Sequence, residues 1–274
     1  PPPLPRASLP PPSPGEGRAF AGPLMLLLSR LSVSVFASLS DNDPLGAELS
    51  WPEDFSEWRE SANKEGAPLW SPVTYREGGR RVRNETERNI EACSALVFDY
   101  DNEGGHSVTL DRAEEVWAPW EHVLYTTHAH GLFKPPKYTG KPRFRVVVPL
   151  KRKVTTTEFR TVWAWAHQFA AEAGAPFDPL ADPGRIYFVP THRPGAPPEY
   201  RHHSGSELLD PDEVLAVFSG PVSVPSAGIF SPVPDLPSGQ GVGIFSGIER
   251  SQQVEHLDLI ESRCAFMRHA REEA

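Results

Sequence analysis

The feature that most constrains this chain is the stretch at residues 94–101, SALVFDYD, an apolar run ending in two aspartates one residue apart. Ala95, Leu96, Val97 and Phe98 read as a buried strand. Alternate strand residues share a face, so Asp99 and Asp101 project together from its end while Tyr100 turns the other way. Two carboxylates held side by side repel each other unless a cation lies between them. A hard divalent ion such as Mg2+, held by carboxylate oxygens and a substrate phosphate, resolves the conflict. On this reasoning, removing either carboxylate leaves the fold intact and relieves repulsion. The competing reading is a strand that runs into a solvated acidic turn through Asn102, Glu103, Gly104 and Gly105.

Further elements can be placed around this strand. Residues 25–40 read as a strand, centred on 32–39, and 122–127, 143–149 and 185–189 as three more. Residues 69–75 are extended. Residues 44–65 read as a polar helix around Phe55 and Trp58, and 110–117 as a short helix. Residues 156–173 place Phe159, Trp163, Ala166 and Ala170 on one helical face. A helix over 211–217 follows a cap at Asp210. The fold class is α+β, with these five strands in one mixed or antiparallel sheet flanked by helices.

The ends read differently. Residues 1–24 are rich in proline, serine and glycine and read as a disordered leader, with Met25 a natural start. Residues 219–247 read as a linker of similar composition, and 248–274 as the start of a helical segment of a longer protein. The apolar stretch at 24–39 is interrupted by Arg30 and too short to span a bilayer. Cys93 and Cys264 are far apart in sequence and suggest neither a disulfide framework nor a zinc site, so a reducing cytoplasm is the simplest compartment. A net charge of −9 gives no general attraction to nucleic acid. Any such contact needs a local basic track, for which Arg80, Arg81, Arg83 and Arg88 are candidates.

Four more signals follow the aspartate pair in order. Thr127, His128 and His130 stand at the end of a strand. Arg143 and Arg145 share one face of the next, with Val146 and Val148 turned to the core; the alternative is that the arginines line a solvated face. Asp178 follows Phe177, with Asp182 in reserve, and Arg185 opens the last strand. Acid pair, hydroxyl and histidines, arginines and a third acid fit a site that binds a nucleoside triphosphate through metal. The aspartates suit the ions, and the planar fork of arginine suits phosphate oxygens.

This pattern resembles the archaeo-eukaryotic primase, or primase–polymerase, superfamily over residues 25–218, and within it the phage- and plasmid-type replication primases. The resemblance rests on Asp99-Tyr100-Asp101, on the T-H-x-H at 127–130, on R-x-R-V-V-V-P-L at 143–150, and on A-D-P-x-R-x-x-x-x-P at 181–190. It implies an RRM-like sheet and nucleotidyl transfer with Mg2+ or Mn2+ held by Asp99, Asp101 and Asp178. It also implies nucleoside triphosphates and a single-stranded DNA template as partners, and a helicase domain downstream. His128, His130, Arg143, Arg145 and Arg185 would steady triphosphate and template. Many relatives carry a histidine where this chain has Arg145, so either the histidines or Arg145 takes the phosphate-contacting role. A second class is a replication-initiator endonuclease, with His128 and His130 on a metal and Tyr125 or Tyr138 as nucleophile. A third is a nucleic-acid-binding domain without catalysis.

Overall fold

The computed structural model describes residues 30–39, 41–64, 67–76, 89–103, 107–204 and 207–218. Its strands are β1 (Arg30–Phe36), β2 (Leu45–Ser50), β3 (Arg59–Glu60), β4 (Leu69–Ser71), β5 (Val73–Tyr75), β6 (Ile90–Tyr100), β7 (His122–Thr126), β8 (Phe133–Lys134), β9 (Tyr138–Thr139), β10 (Phe144–Val154), β11 (Tyr187–Phe188), β12 (Thr191–His192) and β13 (Tyr200–His203). The α-helices are α1 (Leu110–Trp117), α2 (Thr156–Glu172) and α3 (Pro211–Val217). The class is α+β, as the alternation of strand and helix signals indicated.

The expected single sheet is two. A five-stranded antiparallel sheet runs β13-β7-β10-β6-β5, and a four-stranded one β11-β4-β1-β2. The first and last of the five predicted strands fall in the second sheet, and the predicted 185–189 strand shortens to β11. Pro72 marks the crossing between sheets: β4 before it pairs with β1, while β5 after it pairs with β6. Proline has no N–H to give a ladder, which suits a point where the strand changes partners. The polar helix expected over 44–65 is β2, followed by a 3-10 turn at Glu53–Phe55. There Ala47 and Leu49 are buried, two apart, and the period of two fits a strand beside β1.

The five-stranded sheet is covered on both faces. Leu96, Phe98 and Tyr100 of β6, Leu124 of β7 and Val146 and Val148 of β10 face a core with the helices. Ala95, Val97, Val123, Tyr125 and Val147 face the second sheet. Tyr100 does turn away from the aspartates. Its ring stacks on Phe144 at 4.6 Å, its hydroxyl accepts from Trp117 Nε1 at 3.0 Å, and it donates to the Ala175 carbonyl at 3.2 Å. Helix α2 starts at a capping box in which Thr155 and Glu158 satisfy each other's backbone N–H groups, worth about 1 kcal/mol. Asp210 caps α3 as expected, accepting from Asp212 N.

Among the described residues no helix is long and apolar enough to cross a membrane. The leader at 1–24, the linker at 219–247, the segment at 248–274, Cys264 and Arg80, Arg81, Arg83 and Arg88 lie outside the described residues.

Candidate functional site

On the face toward the second sheet, the apolar positions of three neighbouring strands give way to polar ones at the same level. Asp99 of β6 stands opposite Arg145 of β10, which stands opposite Tyr125 of β7. Arg145 Nε donates to Asp99 Oδ1 at 2.7 Å, and Arg185 Nη2 lies 2.7 Å from Asp99 Oδ2. The Asp99 side chain is 4% exposed and that of Arg145 12%. Arg145 Nη1 also donates to the Phe188 carbonyl, and both guanidinium groups lie over the Tyr187 ring, at 5.0 and 5.6 Å. Burial works against the charge of Arg145, but the Asp99 carboxylate, with Tyr125 and Tyr187 beside it, holds its pKa above the ordinary arginine value.

The next rung outward repeats the pairing in a wetter place. Arg143 Nη1 donates to Asp101 Oδ1 at 3.0 Å and Nη2 to Glu103 Oε1 at 2.6 Å, with its guanidinium 5.0 Å from the centre of the Tyr138 ring. The two arginines therefore share the face of the two aspartates, and neither belongs to a solvated strand face. Asn102, next in the chain, makes the turn. It adopts a left-handed φ of 54°, open to asparagine more than to most residues. Its side chain donates to the carbonyls of Val108 and Pro142 and accepts from Val108 N.

Asp178 joins this end of the sheet through its backbone, donating its N–H to the Asp99 carbonyl at 2.9 Å. Burial, then the charges of Asp101 and Asp99, push the Asp178 carboxyl up to about 6. Burial and the Asp99 charge likewise raise that of Asp101. Two oxygen-donor acids that burial and neighbouring carboxylates hold toward the neutral form suit a hard cation, which favours their charged forms. Among the described residues no group of three or more His, Cys, Asp or Glu is placed to hold a metal. Mg2+ is commonly held by one or two carboxylates plus waters and substrate phosphates, so Asp101 and Asp178 fit it without a third. A ligand role for Asp99 requires Arg145 or Arg185 to let go. Asp182, the reserve acid, accepts from Gly184 N at 2.9 Å and shapes the turn that presents Arg185.

The histidines part company. Strand β7 ends at Thr126, and residues 128–131 form a turn, so His128 and His130 do not share a strand face. His128 Nε2 lies 2.9 Å from the Ser61 carbonyl, and His128 lines a small recess with Thr127, Tyr125, Arg145 and Lys64. His130 Nδ1 instead accepts from Arg143 N at 3.2 Å. The Thr127 N–H donates to the Arg143 carbonyl at 2.8 Å. The Tyr125 hydroxyl is buried, which argues against a nucleophile there.

Three residues of the site lie outside the sequence motifs. Arg193 clamps the histidine turn, donating to the carbonyls of His128 and His130. Lys64 reaches over the Phe188 ring at 5.6 Å, and burial, then Arg145, lowers its pKa. Only Asn102 had an available cue, as an asparagine directly after a strand-ending acid.

Among curated proteins none matches this sequence. Among solved structures the chain is similar to the AEP domain of the primase-polymerase of cyanophage S-2L. The likeness has 14% identity and a TM-score of 0.37, over 70% of this chain and 90% of that one. The model of the VapE N-terminal domain matches residues 73–221, more than half of the chain, and the protein belongs to that family of domains associated with phage and plasmid replication.

Proposed function

We propose that this domain catalyses metal-dependent nucleotidyl transfer, making or extending primers on a DNA template during replication of a phage, plasmid or prophage. The observation that carries the reading is the junction at the end of β6. There Asp101 and Asp178, two acids that favour a cation, adjoin a row of cations made by Arg143, Arg145, Arg185 and Lys64. Family membership supports the setting in replication.

Asp101 and Asp178 would hold Mg2+ or Mn2+, which would supply acidity to a 3′-hydroxyl and neutralise charge on the α-phosphate. Asp99 anchors Arg145 and Arg185, fixing two guanidinium groups before substrate arrives. His128, Thr127 and Lys64 flank Arg145 in the recess and bind the triphosphate tail, and an incoming phosphate competes with Asp101 and Glu103 for Arg143. Nucleoside triphosphates and a single-stranded DNA template are the substrates.

The test is nucleotide incorporation on a primed template with Mg2+ or Mn2+, set against nicking of a supercoiled plasmid. Incorporation that disappears in Asp101→Ala and Asp178→Asn is expected; nicking without incorporation would overturn the reading. The double engagement of Asp99 by arginines favours a second reading, a strand-binding domain without synthesis. That reading predicts binding with no incorporation under either metal.

A further inference from the structure

Apart from Tyr138, the hairpin β8–β9 and its flanks, residues 131–141 (GLFKPPKYTGK), are not used by the site as described so far. The segment holds three lysines and no acidic residue, in a chain of net charge −9. Lys134 and Lys137 are exposed. Phe133 is 73% exposed, and it is the one exposed large aromatic residue among those described; the others are leucines and a valine. A single exposed apolar side chain is ordinary. What sets this one apart is its company.

The hairpin forms a wall of a cleft of about 450 Å3 whose lining includes Asp101, Glu103, Lys137, Thr139, Lys141 and Arg143. Phe133 pairs with Thr139 across the hairpin, so the two share a face, and Thr139 lines the cleft. A Cβ added at Gly140 would lie 3.6 Å from Phe133 Cδ2, so the ring lies along the hairpin backbone and its outer side faces water. Tyr138 is held beneath the Arg143 guanidinium, and Arg143 in turn binds Asp101. An aromatic ring resting on backbone, flanked by cations and tied to the acid site, suits one partner chemistry. Successive bases stack on such rings while the phosphates between them meet lysines.

We propose that the β8–β9 hairpin seats the single-stranded DNA template: a base stacks on Phe133, Lys134 and Lys137 hold the adjoining phosphates, and the strand continues along the cleft past Lys141 and Arg143 toward Asp101. The strand's identity as a template rests on the nucleotidyl-transfer reading, but its affinity is measurable without turnover.

The experiment is fluorescence anisotropy of labelled oligothymidine, and of an abasic strand of equal length, with the full chain and no nucleotide. Phe133→Ala and Phe133→Leu are expected to weaken oligothymidine binding by about fivefold or more, the lower range for loss of one stacked base, and Phe133→Trp to retain it. The abasic strand should not distinguish Phe133→Ala from wild type. Lys134→Glu with Lys137→Glu should weaken both strands and flatten the salt dependence. These side chains are exposed, so their replacement leaves the core as it is. Wild-type affinity in Phe133→Ala and in the lysine double variant overturns the proposal. Wild-type affinity in Phe133→Leu alone also does, because the contact is then apolar rather than stacked. Incorporation by wild type with unchanged strand binding in these variants rejects the hairpin and leaves the enzyme reading standing. Loss of strand binding in the variants, with no incorporation by wild type, does the reverse.

Discussion

The two aspartates of D-x-D should respond very unequally to the same substitution. In Asp99→Ala the loss leaves Arg145 buried, with its charge unmatched at a side chain 12% exposed. Removing one partner of a buried ion pair costs about 3–5 kcal/mol. Arg185 is 25% exposed and can turn to water, so its lost contact adds at most about 1 kcal/mol. A total near 4 kcal/mol is a large share of the roughly 5–15 kcal/mol that holds a domain together. It lowers Tm by about 8–16 °C for a domain of this size. In Asp101→Ala the lost side chain is 32% exposed and makes one bond to Arg143, which keeps Glu103 and the Tyr138 ring. The site also disfavours the Asp101 charge, so the variant should lie within about 1 kcal/mol of wild type. Urea denaturation followed by circular dichroism at pH 7.5, without divalent metal, measures both. Adding Arg145→Met to Asp99→Ala removes the orphaned charge and should recover at least about 1 kcal/mol. Equal stability of Asp99→Ala and Asp101→Ala would refute the reasoning, because it would mean that Asp99 is not locked between two arginines.

Three further outcomes are expected. Asn102→Ala should cost roughly 2–4 kcal/mol in urea denaturation, through three lost hydrogen bonds and a left-handed φ that alanine disfavours; Asn102→Gly should recover only the backbone part. Asp178 has its folded pKa raised to about 6, so its stabilising contribution is full below its unfolded value and lost as pH rises through 6. Asp178→Asn should therefore gain roughly 1–2 kcal/mol relative to wild type between pH 4 and 7.5, after discounting for partial exposure; equal pH profiles from denaturation would contradict this. Arg145→Lys keeps a charge but not the forked contact, and should still weaken nucleotide binding by about 1.5–3 kcal/mol in a calorimetric titration; unchanged affinity would remove Arg145 from phosphate recognition.

How much of this was legible in the sequence follows from what each signal measures. The apolar runs at 94–100 and 143–150 located the two central strands, and the period of two placed Asp99, Asp101, Arg143 and Arg145 on one face. Periodicity reports burial of a segment, not the sheet it joins, so nothing in LSVSVF or RIYFV said that these strands form a second layer. The stretch at 44–65 read as polar because β2 opens with the exposed Leu45 and Gly46 and sets Glu48 between its two buried residues, and a short half-buried strand leaves few apolar positions to count. The histidines were misplaced for a related reason. H-x-H has the spacing of a strand face only while the strand continues, and β7 stops at Thr126. Lys64 and Arg193 reach the site from loops, where position depends on tertiary packing and leaves no local pattern.

The unequal burial of the two aspartates also explains how one strand end can serve two chemistries. Asp99 lies where the five-stranded sheet is still covered by the second sheet, so a charge there persists only with matched cations, and Arg145 and Arg185 supply them. Asp101 lies one step beyond that cover, beside a cleft and next to Asp178, where acids outnumber their arginine. The inner carboxylate thus orders an array of guanidinium groups, while the outer one shares a single arginine, Arg143, with Glu103. On the proposed reading, an anion binder and a cation binder then stand two residues apart on one strand, and the left-handed turn at Asn102 follows the second. A triphosphate brings its own anionic tail and needs a cation at its reacting phosphate, so it requires both halves at this spacing. On that reading, exchanging the two environments, with Asp99 freed and Asp101 locked, would move the proposed cation site from the cleft into the space between the sheets, where no strand could follow.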